Sequence, residues 1–392
     1  MKNKNSIAKI LPVLFGFFVM GFCDIVGISS DYVQETFGWS NTMTGFVPSM
    51  VFIWFLFLGI PIGIKMNRWG RKNTVLLSMA ITIVGMVIPL ATYNSVTCMI
   101  AYALLGIGNA ILQVSLNPLL NNVVTNKKLL TSSLTVGQVV KAISSLVGPY
   151  IVLFAVNHFG KGNTEYWYYC FPILGGITLV SALWLMITPI PKERKEEVDN
   201  NSSFVETISL LKDKTILLLF LGIFFVVGID VATNFISSKL MITRFAYSKE
   251  EAGFAPQVYF FSRTVGALLG AFLMTKISEI KYFKANILAC IVVLLLLAFI
   301  ESEVLNLICI GAVGFFCSCI FPIIYSMAVQ NRPDKANQIS GLMITAVAGG
   351  GAVTPAIGFA TDITGIIGGV FVLMLCAFYL TYCAFGIQVK KI

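Results

Sequence analysis

Four charged side chains stand where charge is costly. Asp24, Lys141, Asp230 and Arg263 each lie well inside a long apolar run of the chain. An ionised group at the centre of a membrane-spanning helix costs about 2.5–3.5 kcal/mol on insertion scales. Left unpaired, the set would cost roughly 10 kcal/mol or more. Two acids and two bases allow complete neutralisation, and chain order pairs Asp24 with Lys141 and Asp230 with Arg263, the second pair being read as structural or gating. A carboxyl in a partly dehydrated cavity holds a proton more tightly, and an adjacent ammonium loosens it. Asp24 could therefore take up an ion on one side of a membrane and release it on the other. The static alternative also stands, with Asp24 neutralising Lys141 and holding two helices together.

Amides accompany the charges. Gln113 and Asn117 are spaced i, i+4, which places both on one face of a helix, and Pro118 follows directly. Gln138 lies one turn before Lys141, Asn234 one turn after Asp230, and Tyr259 one turn before Arg263. Amides suit the hydroxyls of a neutral polyol. The other reading is interhelical glue, worth about 0.6 kcal/mol a bond. Three roles are open to Lys141: resting partner of Asp24, direct contact with an acidic ligand, or structural support. Asp24, Gln113 and Asn117 also offer hard oxygens that a Na⁺ ion could use.

Other chemistries find little support. There is no nucleophile–base set, no phosphate-binding loop, and one lone His158. The nine cysteines lie mostly in apolar runs, and Cys317-x-Cys319 has no metal-ligand partners. An enzyme is not expected, and no cofactor is implied beyond a coupling ion.

The elements that would hold these residues are membrane helices. The chain is 57% hydrophobic and 11% charged, against about a quarter charged for soluble domains, and its mean hydropathy is +0.87. A spanning helix needs about 20 mostly apolar residues. Twelve such windows occur, at about 7–29, 43–64, 73–93, 97–119, 131–156, 166–188, 214–237, 252–275, 285–301, 303–328, 337–360 and 366–388. Of 27 Lys and Arg residues, 21 fall in the termini and alternate loops on one side. Only Lys161, Lys239, Arg244 and Lys249 fall in the opposite loops. The positive-inside rule then puts both termini in the cytoplasm. The net charge of +9 is thus a topology signal touching anionic lipid, not a nucleic-acid footprint. The longest polar segment follows the sixth window. The expected fold is an all-α membrane protein of twelve transmembrane helices in two six-helix halves, residues 1–188 and 214–392, joined by a cytoplasmic linker at 189–213. The halves open alike, on "FFVMGFCDI" (17–25) and "FFVVGIDV" (224–231).

The stretch "GIKMNRWGRKN" (63–73) resembles the G-x-x-x-D-R-x-G-R-K signature of the major facilitator superfamily. Gly63, Arg68, Gly70, Arg71 and Lys72 match it, while Asn67 replaces the usual Asp and carries no charge for the gating latch that the motif implies. Within that superfamily, "LLGIGNAILQVSLNPLL" (104–120), "GQVVKAISSLVGP" (137–149) and "AVAGGGAVTPAIGFATDITG" (346–365) resemble helices four, five and eleven of the fucose/glucose/galactose–proton symporter branch. The resemblance implies a proton-carrying acid at Asp24. It also implies substrate contacts at Gln138 and Lys141, an acid at Asp230 and a base at Arg263. Two departures stand out: Gln113 replaces the branch's helix-four acid, and Lys141 its helix-five Asn. The implied function is import of a monosaccharide, fucose- or hexose-like, by H⁺ symport through alternating access. The resemblance further implies a monomer, and the orientation fits a bacterial inner membrane. Still open are coupling to Na⁺, an acidic sugar as substrate, and export of hydrophobic compounds. A non-transporting scaffold would have no use for the four buried charges.

Overall fold

The computed structural model describes residues 2–123, 127–191, 204–274, 276–332 and 335–386. Residues 192–203 of the expected linker, Lys390 and Lys391, and the side chain of Asn67 lie outside the described residues. The described residues are almost all helical, with no strand among them. In chain order the long helices are α1 (Lys9–Phe37), α2 (Asn41–Met66), α3 (Arg71–Ala91), α4 (Ser95–Leu120), α5 (Val136–Gly160), α6 (Thr164–Ile187), α7 (Lys214–Phe245) and α8 (Phe254–Leu273). They continue with α9 (Glu279–Phe299), α10 (Glu303–Ala328), α11 (Gly341–Thr364) and α12 (Ile366–Gly386). Eleven, all but α8, are long and apolar enough to cross a membrane. α8 has the length, 20 residues, but spends it on Pro256, Gln257 and Arg263 as well as apolar side chains. The twelve expected helices are all present.

Several spans are locally broken, as membrane helices tolerate when neighbours satisfy the freed backbone groups. α1 tightens into a 3₁₀ turn over Gly21–Ile25, α2 is interrupted at Ile53, and α11 passes through a 3₁₀ turn over Ala346–Ala348. Asp24 sits inside the first of these breaks.

The chain forms two compact units. The first comprises Met1–Ile25 and Phe57–Ser203; in it α3 packs on α4 and α6, and the first part of α1 packs on α4, α5 and α6. Its loop after α2 carries the motif residues. Gly70 takes a φ of +84°, a conformation open to glycine at little cost, and so turns the chain from α2 into α3. Arg71 then donates to the Pro118 carbonyl at 3.2 Å and to Asn122 Oδ1 at 2.5 Å. Lys72 donates to the Met186 and Thr188 carbonyls at 3.0 and 2.8 Å, satisfying the end of α6.

The second unit comprises Val26–Leu56 and Phe204–Ile392. α7 is its centre, packed on α8, α10, α11, α12 and the second part of α1. Here the sequence expectation needs correction. α1 runs to Phe37 and α7 to Phe245, so Asp31 and Lys239 are buried helical residues rather than loop charges, and the buried charges are more than four. Arg244 belongs to the last turn of α7. It donates to the Leu297, Ala298 and Ile300 carbonyls at 2.8, 2.8 and 3.2 Å, closing the end of α9. The hydropathy windows stopped short because each of these charges lowers the local average, while its neutralising partner lies elsewhere in the chain.

α11 approaches α7 so closely that a Cβ on Gly349 would lie 1.9 Å from the Phe224 carbonyl oxygen. The obstacle is backbone, which cannot swing aside. Gly349→Ala is expected to lower stability by about 1–3 kcal/mol through overpacking, read as a fall in the thermal unfolding midpoint of the purified protein. An unchanged midpoint would refute this packing.

Candidate functional site

In the first unit Cys23, Asp24, Ser145 and Asn109 lie around the break in α1. Asp24 is half-buried, and Ser145 of α5 donates to its Oδ2 at 2.6 Å. The Cys23 thiol donates to Oδ1 at 3.6 Å. Asp24 thus meets α5 at Ser145, one turn beyond Lys141. Ser145 Oγ also lies 3.1 Å from the Lys141 backbone carbonyl, a bond within α5. Lys141 itself is half-buried, and Gln138, a turn earlier, is exposed.

On α4, Gln113 and Asn117 are half-buried, and Asn117 Oδ1 is enclosed without a hydrogen-bond partner among the described residues. One turn earlier lies Asn109, only 3% exposed and close to Cys23. Neither its oxygen nor its nitrogen has a hydrogen-bond partner among the described residues. An enclosed amide group without a partner is costly. The sequence reading stopped at the 113/117 pair. The signal for Asn109 was present, because 109, 113 and 117 continue the same four-residue spacing.

In the second unit the expected pair is formed. Arg263 Nη2 lies 3.0 Å from Asp230 Oδ2, and the hydroxyl of fully buried Tyr259 donates to Asp230 Oδ1. Asp230 and Arg263 keep 24% and 33% of their side-chain surface exposed. They line a cavity of about 60 Å³ together with Cys317, Ser318 and Phe321. The carboxylate and guanidinium therefore hold one another in a part-exposed setting. Asn234, expected beside them, is 2% exposed and packs against Gly27 of α1. Its position is one of helix–helix packing, away from that cavity.

A third group was not anticipated as a site. Lys239 of α7 forms an ion pair with Asp31 of α1 at 2.9 Å, with only 7% and 4% of the two side chains exposed. Ser238 donates to the other oxygen of Asp31, and Lys239 donates to Gln34 Oε1. Of the motif residues, Arg68 is exposed and Gly63 half-buried, and neither approaches the three polar groups through any contact described above.

The sequence profile described as Major Facilitator Superfamily matches residues 13–355. A Helicobacter pylori protein provisionally named a glucose/galactose transporter is 27% identical over 98% of this chain and 97% of its own length. A glucose/galactose transporter of Brucella abortus is 22% identical over 97% of this chain and 94% of its own. Among solved structures, the E. coli fucose:proton symporter superposes with a TM-score of 0.70 at 19% identity, covering 98% of this chain and 99% of that one. At that identity the likeness is one of fold.

Proposed function

The chain belongs to the Major Facilitator Superfamily and is a transport protein, and from that premise we propose that it imports a fucose- or hexose-like monosaccharide by cation symport. The six-helix halves, 1–188 and 214–392, would alternate access between them, with the linker at 189–213 on the cytoplasmic side. The observation that carries this reading is the Asp24–Ser145 contact in the break of α1, with amides at 109, 113 and 117 on the facing helix. The pairing combines an ionisable carboxylate with neutral groups that both donate and accept, as sugar hydroxyls require. Full-length similarity to two proteins named for glucose and galactose supports the substrate class.

Asp24 is assigned the coupling proton. Lys141 answers its charge, and Gln113, Asn117, Gln138 and the Asp230–Tyr259–Arg263 group provide the hydroxyl contacts, with Asn234 supporting the second group from within the packing. The motif residues Gly63, Asn67, Arg68, Gly70 and Arg71 belong to the cytoplasmic gate. Coupling to Na⁺ is the second reading, favoured by the enclosed Oδ1 of Asn117, which has no hydrogen-bond partner among the described residues. The distribution of Lys and Arg supports termini in the cytoplasm and an inner-membrane location in a bacterium. The protein would work as a monomer in contact with lipid.

The deciding experiment follows external pH in lightly buffered, de-energised cells. Neutral hexoses, 6-deoxyhexoses and uronic acids are added in turn. Alkalinisation with a neutral sugar is expected. No pH change with any sugar, together with labelled sugar uptake only under an imposed Na⁺ gradient, would replace H⁺ by Na⁺. Absence of uptake under either gradient would overturn the reading.

A further inference from the structure

We infer that the ends of α1, α2, α7 and α11 remote from the chain termini are fastened by a single polar relay, and that its release permits opening on that side. The inference rests on the transport reading only for its purpose; the relay itself lies wholly within the second unit.

The relay begins at Asp362, near the end of α11. Its Oδ1 accepts from the Asn41 backbone N–H at 3.0 Å and from Asn41 Nδ2 at 2.8 Å. Its Oδ2 accepts from the Thr42 N–H at 2.8 Å and the Thr42 hydroxyl at 2.6 Å. Asn41 and Thr42 open α2, where backbone donors have no intrahelical acceptor and the helix dipole favours negative charge. Ser40 caps the next N–H, that of Met43. A carboxylate from another helix therefore completes the first turn of α2. The relay then passes inward. Gln34 Nε2 donates to Asn41 Oδ1 at 3.1 Å, Lys239 donates to Gln34 Oε1, and the Lys239–Asp31 pair ends at Ser238. Lys249 adds a second pair with Glu35.

The chemistry argues for a device that opens rather than a permanent joint. A buried ion pair is poor adhesive, since apolar replacements of similar volume often hold as well or better. It is the better choice for a surface that must later face water, because both charges rehydrate on parting where apolar side chains would not. The outer member, Asp362, is exposed, so water can take over its four hydrogen bonds first. Lys239 and Asp31 are the deep lock. The Asp362 and Lys239 links join residues of the 26–56 segment to α11 and α7, the elements that would have to separate; the Gln34–Asn41 bond connects the two within that segment.

The test measures distance and needs neither sugar nor knowledge of which side faces outward. Spin labels are placed on Cys at Phe46 of α2 and Phe254 of α8, which are 40% and 53% exposed, and the purified full chain is read by pulsed electron paramagnetic resonance. The unlabelled native cysteines, all buried, serve as background. In Asp362→Ala the ratio of long-distance to short-distance population is expected to rise at least about tenfold, given hydrogen bonds to a charged group. Asn41→Ala, which cuts the relay and leaves every charge in place, is expected to move it the same way. Either variant giving the longer distance supports the latch, with monodisperse gel filtration confirming the fold. A distribution unchanged from the parent in both folded variants overturns it, whether or not the parent transports any sugar. Failure of all sugars in the pH assay, by contrast, would overturn the transport reading alone.

Discussion

Asp24→Asn is expected to abolish uphill accumulation of sugar while leaving exchange of internal for external sugar intact. The substitution keeps an oxygen to accept from Ser145 at the same position and conserves volume, so folding should survive with little loss. What it removes is the ability to bind and release a proton. One elementary charge crossing 100 mV is worth about 2.3 kcal/mol, roughly a 50-fold concentration ratio. Energised vesicles carrying the parent should approach an accumulation of that order, and Asp24→Asn vesicles should stop at about 1. Counterflow should proceed in both, because a loaded carrier can change sides without net proton movement. Parental accumulation in Asp24→Asn would remove this residue from coupling. Loss of counterflow as well would assign it to sugar binding or to the α1–α5 junction. Ser145→Ala supplies the control, because it deletes the hydrogen bond and leaves the carboxylate; it should weaken transport without uncoupling it.

The helical architecture could be read from hydropathy because each span needs only its own residues to be apolar. Partners are different. The Asp230–Arg263 pair was recoverable, because two bases and two acids in apolar runs leave few ways to balance charge. Asp31 and Lys239 escaped for the same physical reason that makes them notable. Each looks like a charge at the edge of a span, and only the fold brings them to 2.9 Å. Their positions differ by 208 in the chain (239 minus 31), a separation no periodicity reports. Asp362 was visible as part of an Asp-x-x-Gly ending, but what it caps is the start of another helix, and capping across helices leaves no local spacing. At Asp24, charge bookkeeping pointed to Lys141, and the structure adds a contact that charge does not report: the hydroxyl of Ser145, one turn along the same helix, donates to the carboxylate.

Removing the guanidinium of Arg263 should strike uptake far harder than stability. A half-exposed ion pair contributes at most about 1 kcal/mol to folding, and Asp230 would keep the Tyr259 hydroxyl donated to it. Hydrogen bonds from a charged group to a ligand are worth about 1.5–3 kcal/mol each, or roughly 10- to 150-fold in affinity. Arg263→Met is therefore expected to raise the KM for sugar by about that factor, with a thermal midpoint within a few degrees of the parent. The double variant Asp230→Asn/Arg263→Met separates binding from structure. If the pair only neutralises itself, removing both charges should restore uptake, because no unpaired charge remains in the cavity. If the two groups also bond the ligand, the double variant should stay as impaired as the single one while remaining folded. The geometry favours the second result. The pair lines a cavity with Ser318 and Phe321. Asn234, a turn away, is instead sealed against Gly27. Asn234→Ala should therefore cost stability and leave KM nearly unchanged, an opposite signature on the same helix. Finding both variants with the same signature would remove the cavity from the transport site.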